Sequence, residues 1–281
     1  MRPETREQFS IAVFALPAAL FMVVMMAVPL GSVVWQSLSD ETGFSLAAYV
    51  KMAQSNLFIR VTRTTLEIAL GATLVAFILG YPIAYFLSKQ PPRRQTVWLI
   101  VILIPFWTSS LVKSFAFVVM LGHAGILNTW LGEFGLGPYK MLFNRIGVMV
   151  GMSHFLVPFM VFPILTNLRS QPPELAKAAA IMGAGKFRIF RTVTFPLSLP
   201  GVVSGALLVF ILALGFFIVP KLLGGRQDVM LSSLVDFYAR EVFNFQMSSA
   251  IAVVLMATAL LAAFLLSKVR GGASILSKEQ S

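Results

Sequence analysis

The sequence predicts an all-α, polytopic membrane protein with six transmembrane helices, and two observations carry that class. The chain is 58% hydrophobic and only 12% charged, with a mean hydropathy of +0.85, whereas ordinary soluble domains carry about 25% charged residues. Its apolar residues also gather into six runs, about 11–35, 68–88, 95–121, 146–168, 197–220 and 248–267, each near or above the ~20 residues that a helix needs to cross hydrocarbon. Residues 1–281 therefore read as a single transmembrane domain in contact with membrane lipid. The net charge of +11 raises nucleic acid as a partner. The basic residues are scattered through short loops rather than gathered beside aromatic side chains, so nucleic acid is not expected. Cysteine is absent, which excludes disulfides, thiol catalysis and cysteine-held metals.

The elements follow in order. Residues 1–10 are polar, and the uncharged run that follows them to Trp35 is longer than the apolar core of a cleaved signal peptide, so it reads as the first span. The second run spaces Ala72, Ala76 and Gly80 four apart, a small-residue stripe that lets another helix approach closely. Lys89, Pro91, Pro92, Arg93 and Arg94 make a basic turn, and the third run follows, interrupted only by Lys113. Residues 122–145 are rich in Gly and turn residues and predict a loop with a short surface helix. The fourth run contains His154, Pro158 and Pro163; the fifth carries a second close-packing pattern, Gly201-Val-Val-Ser-Gly205.

Between runs four and five lies a long polar connection, 169–196. Pro172 and Pro173 suit a helix start, and Glu174 places a negative charge in its first turn. Leu175, Ala178, Ala179 and Met182 recur at helical spacing until Gly183 offers a left-handed C-terminal position. Phe187, Phe190 and Val193 continue on a second short helix with Lys186, Arg188 and Arg191, closed by Pro196. The first helix has a small, alanine-lined face that suits docking against protein better than lying on lipid, where bulky anchors are the rule.

Six spans put both termini on one side. Assigning loops by alternation, the segments 1–10, 88–96, 169–198 and 268–281 hold 13 Lys and Arg in 63 positions, against 8 in 79 for 36–63, 122–145 and 221–247. The positive-inside rule makes the denser set cytoplasmic.

Ionisable groups near membrane depth are costly and point to function. Lys113 shares a predicted helical side with Trp107 and Ser110 and either faces the bundle or snorkels to the interface. Glu67 opens span two, within reach of Arg63 one turn earlier. Asp236 and Glu241 flank Tyr238 in the last loop, lining an entrance or simply solvated. His123 and His154 have no metal-binding spacing. Gly183-Ala-Gly-Lys186 departs from a phosphate loop, with Ala180 in place of glycine and Phe187 in place of Ser or Thr. No nucleophile and base constellation marks an enzyme, and a stand-alone secondary transporter would need inverted repeats and midplane coupling groups that are not evident.

Ala178-Ala179, Gly183 and, after nine residues, Val193-Thr-Phe-Pro196 resemble the cytoplasmic EAA loop of permease subunits of bacterial ABC importers. Pro105-Phe-Trp-Thr-Ser-Ser-Leu-Val-Lys-Ser-Phe-Ala116, Gly125-Ile-Leu-Asn128, Gly215-Phe-Phe-Ile-Val-Pro-Lys-Leu-Leu-Gly-Gly225 and Ser248-Ser-Ala250 resemble its spermidine/putrescine-type branch, and the likeness covers most of 60–267. The resemblance implies a coupling helix that fits a groove on a separate ATPase, with Glu174, Lys177, Ala178, Ala179, Gly183, Ala184, Phe187 and Pro196 as coupling residues. It further implies a pair of ATP-binding subunits holding ATP and Mg, with no cofactor on this chain, a second permease, homologous or identical, and an extracytoplasmic solute-binding protein. The location implied is a bacterial inner membrane, with both termini cytoplasmic.

The expected cargo is a small polar solute, polyamine-like by resemblance. A substrate path is expected to use Trp107, Lys113, Asp236 and Tyr238, although Lys113 also leaves room for an amino-acid derivative or an anion. One departure stands out. The glutamate of the family's motif, six residues before its glycine, is Lys177 here, with Glu174 one turn earlier. The inverted charge implies an acidic or neutral partner surface.

Overall fold

The computed structural model describes residues 3–40 and 43–278, with side chains at 16–17, 20–40 and 43–264. Helix α1 (Pro3–Ser37) leads into a two-stranded hairpin, β1 (Ser39–Asp40) with β2 (Gly43–Phe44), and a short helix α2 (Ala47–Gln54). The long α3 (Asn56–Ser88) is followed by α4 (Pro92–Leu103), a 3-10 turn (Ile104–Trp107), α5 (Ser110–Leu121), α6 (Ile126–Glu133) and α7 (Arg145–Ser170). Next come α8 (Pro173–Ile181), α9 (Lys186–Ile189), a π-turn (Phe190–Thr194) and α10 (Phe195–Leu214). The chain closes with α11 (Ile218–Leu223), α12 (Leu231–Arg240) and α13 (Phe245–Lys278). Six stretches among the described residues are long and apolar enough to cross a membrane: Leu20–Ser37, Asn56–Ser88, Ser110–Glu133, Arg145–Ser170, Lys186–Leu214 and Phe245–Phe264.

The chain forms two compact units. In the larger, Asn56–Ser233 with Leu255–Ser281, helices α3, α7 and α10 pack around one core. The expected small-residue stripes set their spacing. A Cβ added at Gly80 would lie 3.0 Å from Cγ of Met160, and one at Gly205 would lie 3.0 Å from its Sδ and 3.1 Å from its carbonyl oxygen. Met160 of α7 is thus wedged between a glycine of α3 and a glycine of α10. One turn or so further on, a Cβ at Gly201 would meet Cβ of Asn167 at 2.6 Å. Gly71 faces Met149 and Gly80 faces Met160, so α3 and α7 run parallel, whereas the pairing of Gly201 with Asn167 and Gly205 with Met160 makes α10 antiparallel to α7. Ala69, Ala72, Ala76 and Ala84 of α3 are fully buried in the same core. Backbone approach of this closeness is how helices gain packing contacts where lipid leaves no hydrophobic driving force between them.

Two expectations from hydropathy need correction. The run 95–121 is not one helix: Pro105 has no N–H to donate, so α4 stops at Leu103, tightens into the 3-10 turn, and the chain is extended at Thr108 and Ser109 before α5. Nor is the helix after Gly183 closed off by Pro196. Helical backbone runs without interruption from Lys186 to Leu214, because Pro196 stands near the start of α10, right after the π-turn, where the wider i→i+5 spacing absorbs the missing donor. Residues 122–145, expected as a loop with a short surface helix, do contain a short helix, α6, but it falls within the third spanning stretch, Ser110–Glu133. Asn128 fastens it: its amide donates to the carbonyls of Gly122 (2.9 Å) and Tyr139 (3.0 Å) and its Oδ1 accepts from Tyr139 N (2.8 Å).

The smaller unit joins Met1–Ser55 with Leu234–Val254. Within it Ser249 donates to Gln36 (3.2 Å), Tyr49 donates to Ser37 (2.8 Å) and Ser248 donates to the Val235 carbonyl (2.9 Å), all polar ties between otherwise apolar helices.

Candidate functional site: a helical elbow, a cleft and an ion-pair network

The connection 169–196 is a helical elbow. Helix α8 ends in a paired hydrogen-bond closure, Ala184 N to Ala179 O (3.0 Å) and Gly183 N to Ala180 O (3.0 Å), with Gly183 at φ +83°. This is the glycine-dependent helix stop that the sequence announced. Ala179 is buried, while Ile181 (87% exposed), Met182 (81%) and Phe187 (76%) stand out at the tip. Glu174, Lys177, Ala178 and Pro196 are exposed and Ala184 is half-buried. Lys177 has no ion-pair partner among the described residues.

Behind the tip the elbow is clamped to α3. Phe190 packs edge-on against Tyr85 (5.3 Å) and Tyr81 (6.0 Å), and Phe195 lies 5.5 Å from Tyr81. The Tyr81 hydroxyl is 2.9 Å from Ser198 Oγ, which donates to the Phe195 carbonyl, so the tyrosine is the donor in that pair. Gln171 donates to the Thr194 carbonyl (3.2 Å) and closes the base. Phe187 and Phe190, expected on one apolar face, are therefore divided: one is at the exposed tip and the other in the aromatic clamp.

A cleft of about 740 Å³ opens beside the break between α4 and α5, walled by α3, α4, α5 and α7. Its lining is apolar apart from Lys113, Ser153 and His154 and contains no carboxylate. Lys113 does not stay beside Trp107. The break takes Trp107 off the helix that carries Lys113 and leaves it 87% exposed. The Lys113 ammonium turns inward instead, donating to the Pro105 carbonyl (2.8 Å) and sitting 4.1 Å from the centre of the Phe155 ring. His154 lies edge-on to Phe117 (5.4 Å) and Phe155 (5.9 Å).

At the end of the bundle opposite the elbow, Glu67 pairs with Arg63 (2.7 Å), as its spacing predicted, and also with Arg145, which reaches Asp228 (3.2 Å). Asp228 is nearly buried and accepts from Gly225 N (3.1 Å). These pairs tie Glu67, about three turns into α3, and Arg145, the first residue of α7, to the loop after α11. Asp236 and Tyr238 belong to the smaller unit, where Asp236 pairs with Arg240 (2.9 Å) and Tyr238 stacks edge-on with Phe237 (5.6 Å).

Residues 76–269 match the binding-protein-dependent transport system inner membrane component family. The chain belongs to that family. It is the permease subunit of an ATP-binding-cassette importer, a transport subunit in a bacterial inner membrane. The spermidine/putrescine transport system permease protein PotB of Escherichia coli (strain K12) is 34% identical over 195 residues, covering 68% of this permease and 70% of PotB. The sulfate transport system permease protein CysT of the same organism aligns over more of the length, 87% of each chain, at 26% identity. Among solved structures, a bacterial alginate ABC transporter in complex with alginate pentasaccharide-bound periplasmic protein matches with a TM-score of 0.73 at 16% identity, over 93% of this permease and 94% of that chain. That likeness speaks to the fold.

Several residues of the permease escaped sequence reading. Tyr81, Tyr85 and Phe195 form the clamp, and the visible signal was the i, i+4, i+8 stripe Phe77, Tyr81, Tyr85 along α3. Arg145 and Asp228 complete the ion-pair network, and neither has a sequence-local partner to announce it. Phe155 shows its role only through the cleft.

Proposed function

We propose that this permease moves a small polar solute of the polyamine kind, and that its elbow is where a separate ATPase subunit docks. The observation that carries the coupling reading is the elbow tip: Ile181, Met182 and Phe187 are exposed on a closed turn in a polar, basic segment. Exposed apolar side chains with a polar rim mark a protein contact. The clamp behind the tip supplies the route inward, since a displacement of Phe187 is carried by Phe190 and Phe195 to Tyr81 and Tyr85 of α3. Each such aromatic pair is worth about 0.5–1.5 kcal/mol beyond its buried area.

The complete transporter in this reading contains two ATP-binding subunits holding ATP and Mg, a second permease, homologous or identical, and an extracytoplasmic solute-binding protein. The elbow and both termini face the cytoplasm, following the denser Lys and Arg of 1–10, 88–96, 169–198 and 268–281. Residues 1–281 act as one permease domain, whose spans rock between inward-open and outward-open states as the ATPases close and reset. Lys177 meets an acidic or neutral patch on the ATPase. The polyamine preference rests on the similarity to PotB. A second reading, a small anion or amino-acid derivative, is favoured by the similarity to the sulfate permease.

The test reconstitutes the complete transporter in proteoliposomes. Phe187→Asp is expected to reduce co-purification of the ATPase and to lower solute uptake by about tenfold or more, a loss of ~1.4 kcal/mol in coupling. Undiminished ATPase association and uptake in this variant would remove the elbow from the coupling role. Uptake of radiolabelled putrescine against sulfate separates the two cargo readings.

A further inference from the structure

The cleft beside the α4–α5 break holds an ammonium already, and the groups that hold it identify what else the cleft accepts. Helix α4 and its 3-10 turn end at Trp107, so the last carbonyls, Pro105 among them, lie at the negative end of a helix dipole. Pro105 O accepts from Thr108 N (3.3 Å) and Thr108 Oγ1 (2.7 Å), and still has Lys113 Nζ at 2.8 Å. The Phe155 ring presents its face to the same Nζ at 4.1 Å. A carbonyl dipole and an aromatic face attract a cation and repel an anion. The walls beyond, including Leu79, Ile83, Ile102 and Met120, are aliphatic.

We propose that this is a binding site for the primary ammonium of an alkylamine, and that Lys113 is its resident occupant, which the amine displaces. The stereochemistry is that of lysine itself: an ammonium on Pro105 O and Phe155, with an alkyl chain along the aliphatic wall. Displacement is required, because the lining has no carboxylate to offset a second positive charge. Exchange of one ammonium for another leaves the charge held at Pro105 O and the Phe155 ring unchanged, and Lys113, on its four-carbon stem, can withdraw towards the cleft mouth. An anion gains nothing here, since the Lys113 charge it would seek is turned onto the carbonyl and the ring. This deepens the polyamine reading by naming the groups that recognise one end of the cargo; the site reads a single ammonium, so a monoamine competes for it.

The test uses the assembled transporter in nanodiscs, without binding protein, and measures binding of putrescine, n-butylamine and succinate by calorimetry. Lys113→Met removes the resident ammonium. It is expected to tighten binding of both amines by about tenfold or more, with no gain for succinate, and the added change Phe155→Leu is expected to reverse the gain. Lys113→Gln, which keeps a donor for Pro105 O, is expected to act in the same direction and serves if the methionine variant does not assemble. Unchanged amine affinity in the Lys113 variants, a gain that survives Phe155→Leu, or succinate binding that depends on Lys113 overturns the proposal. Amine binding by the Lys113 variants without putrescine uptake by the wild type would leave the site standing and remove the cargo reading; uptake without any gain in the variants would do the reverse.

Discussion

Gly183 shows how far a single residue can be read. Its place after Leu175, Ala178, Ala179 and Met182 predicts a helix end with a left-handed residue, and its φ of +83° is that conformation. Open space surrounds it, with nothing within 4 Å of an added Cβ, so a side chain there would meet backbone strain and no clash. Gly183→Val is expected to cost about 1–2 kcal/mol locally and to impair ATP-driven uptake, whereas Gly183→Asn, which tolerates this backbone, is expected to retain most of it. Equal uptake by the two variants would separate the turn from coupling. Phe187 and Phe190 show the opposite limit. Both fit one helical pattern, but which of them is exposed depends on where α3 ends, and that is a long-range fact that spacing does not contain. Glu67 illustrates both: Arg63 was visible one turn away, while Arg145 and Asp228 come from distant segments.

At the scale of elements, the number of spans was legible because hydropathy and length decide it. The break at Pro105 was not, although the proline was in plain view, since an apolar average is blind to a missing backbone donor. The same blindness hid the continuity from Lys186 to Leu214, where Pro196 looked like a stop and is taken up next to a π-turn. Small residues at four-residue spacing were the better guide. Met160 sits against Gly80 on one side and Gly205 on the other, and the contact at Gly205 includes a backbone oxygen that cannot rotate away. Gly205→Leu is therefore expected to force α7 and α10 apart and to destabilise the permease by about 1–3 kcal/mol or more, read as a lowered Tm in detergent. Gly132→Leu, where an added Cβ meets nothing within 4 Å, serves as the comparison and is expected to leave Tm nearly unchanged.

For the whole molecule, the class and the six spans follow from composition and the runs, whereas the side of the membrane rests on a modest bias of Lys and Arg. The absence of cysteine makes that bias testable with one substitution at a time. Lys186→Cys, at the elbow, and Leu136→Cys, in the loop after α6, are both exposed positions. In intact cells a membrane-impermeant maleimide is expected to label Leu136→Cys and to leave Lys186→Cys unlabelled until the membrane is opened. The opposite pattern would invert the topology. The cleft lay beyond sequence reading: its charge was visible in Lys113, but its cation-holding groups, Pro105 O and the Phe155 ring, meet only after the chain has folded.

The uninterrupted backbone from Lys186 to Leu214 has a mechanical consequence. Twenty-nine residues at a rise of 1.5 Å make a lever about 43 Å long, with its contact to Tyr81 at Ser198 a little to the elbow side of the middle. The short arm carries Phe187 and the long arm carries everything beyond Gly205. In the coupling reading proposed above, a displacement of an ångström or two at the tip is carried along this helix to its far end, beside what the aromatic clamp passes to α3. In that reading, stiffness along the helix, more than any one contact at either end, sets how much of the stroke is delivered.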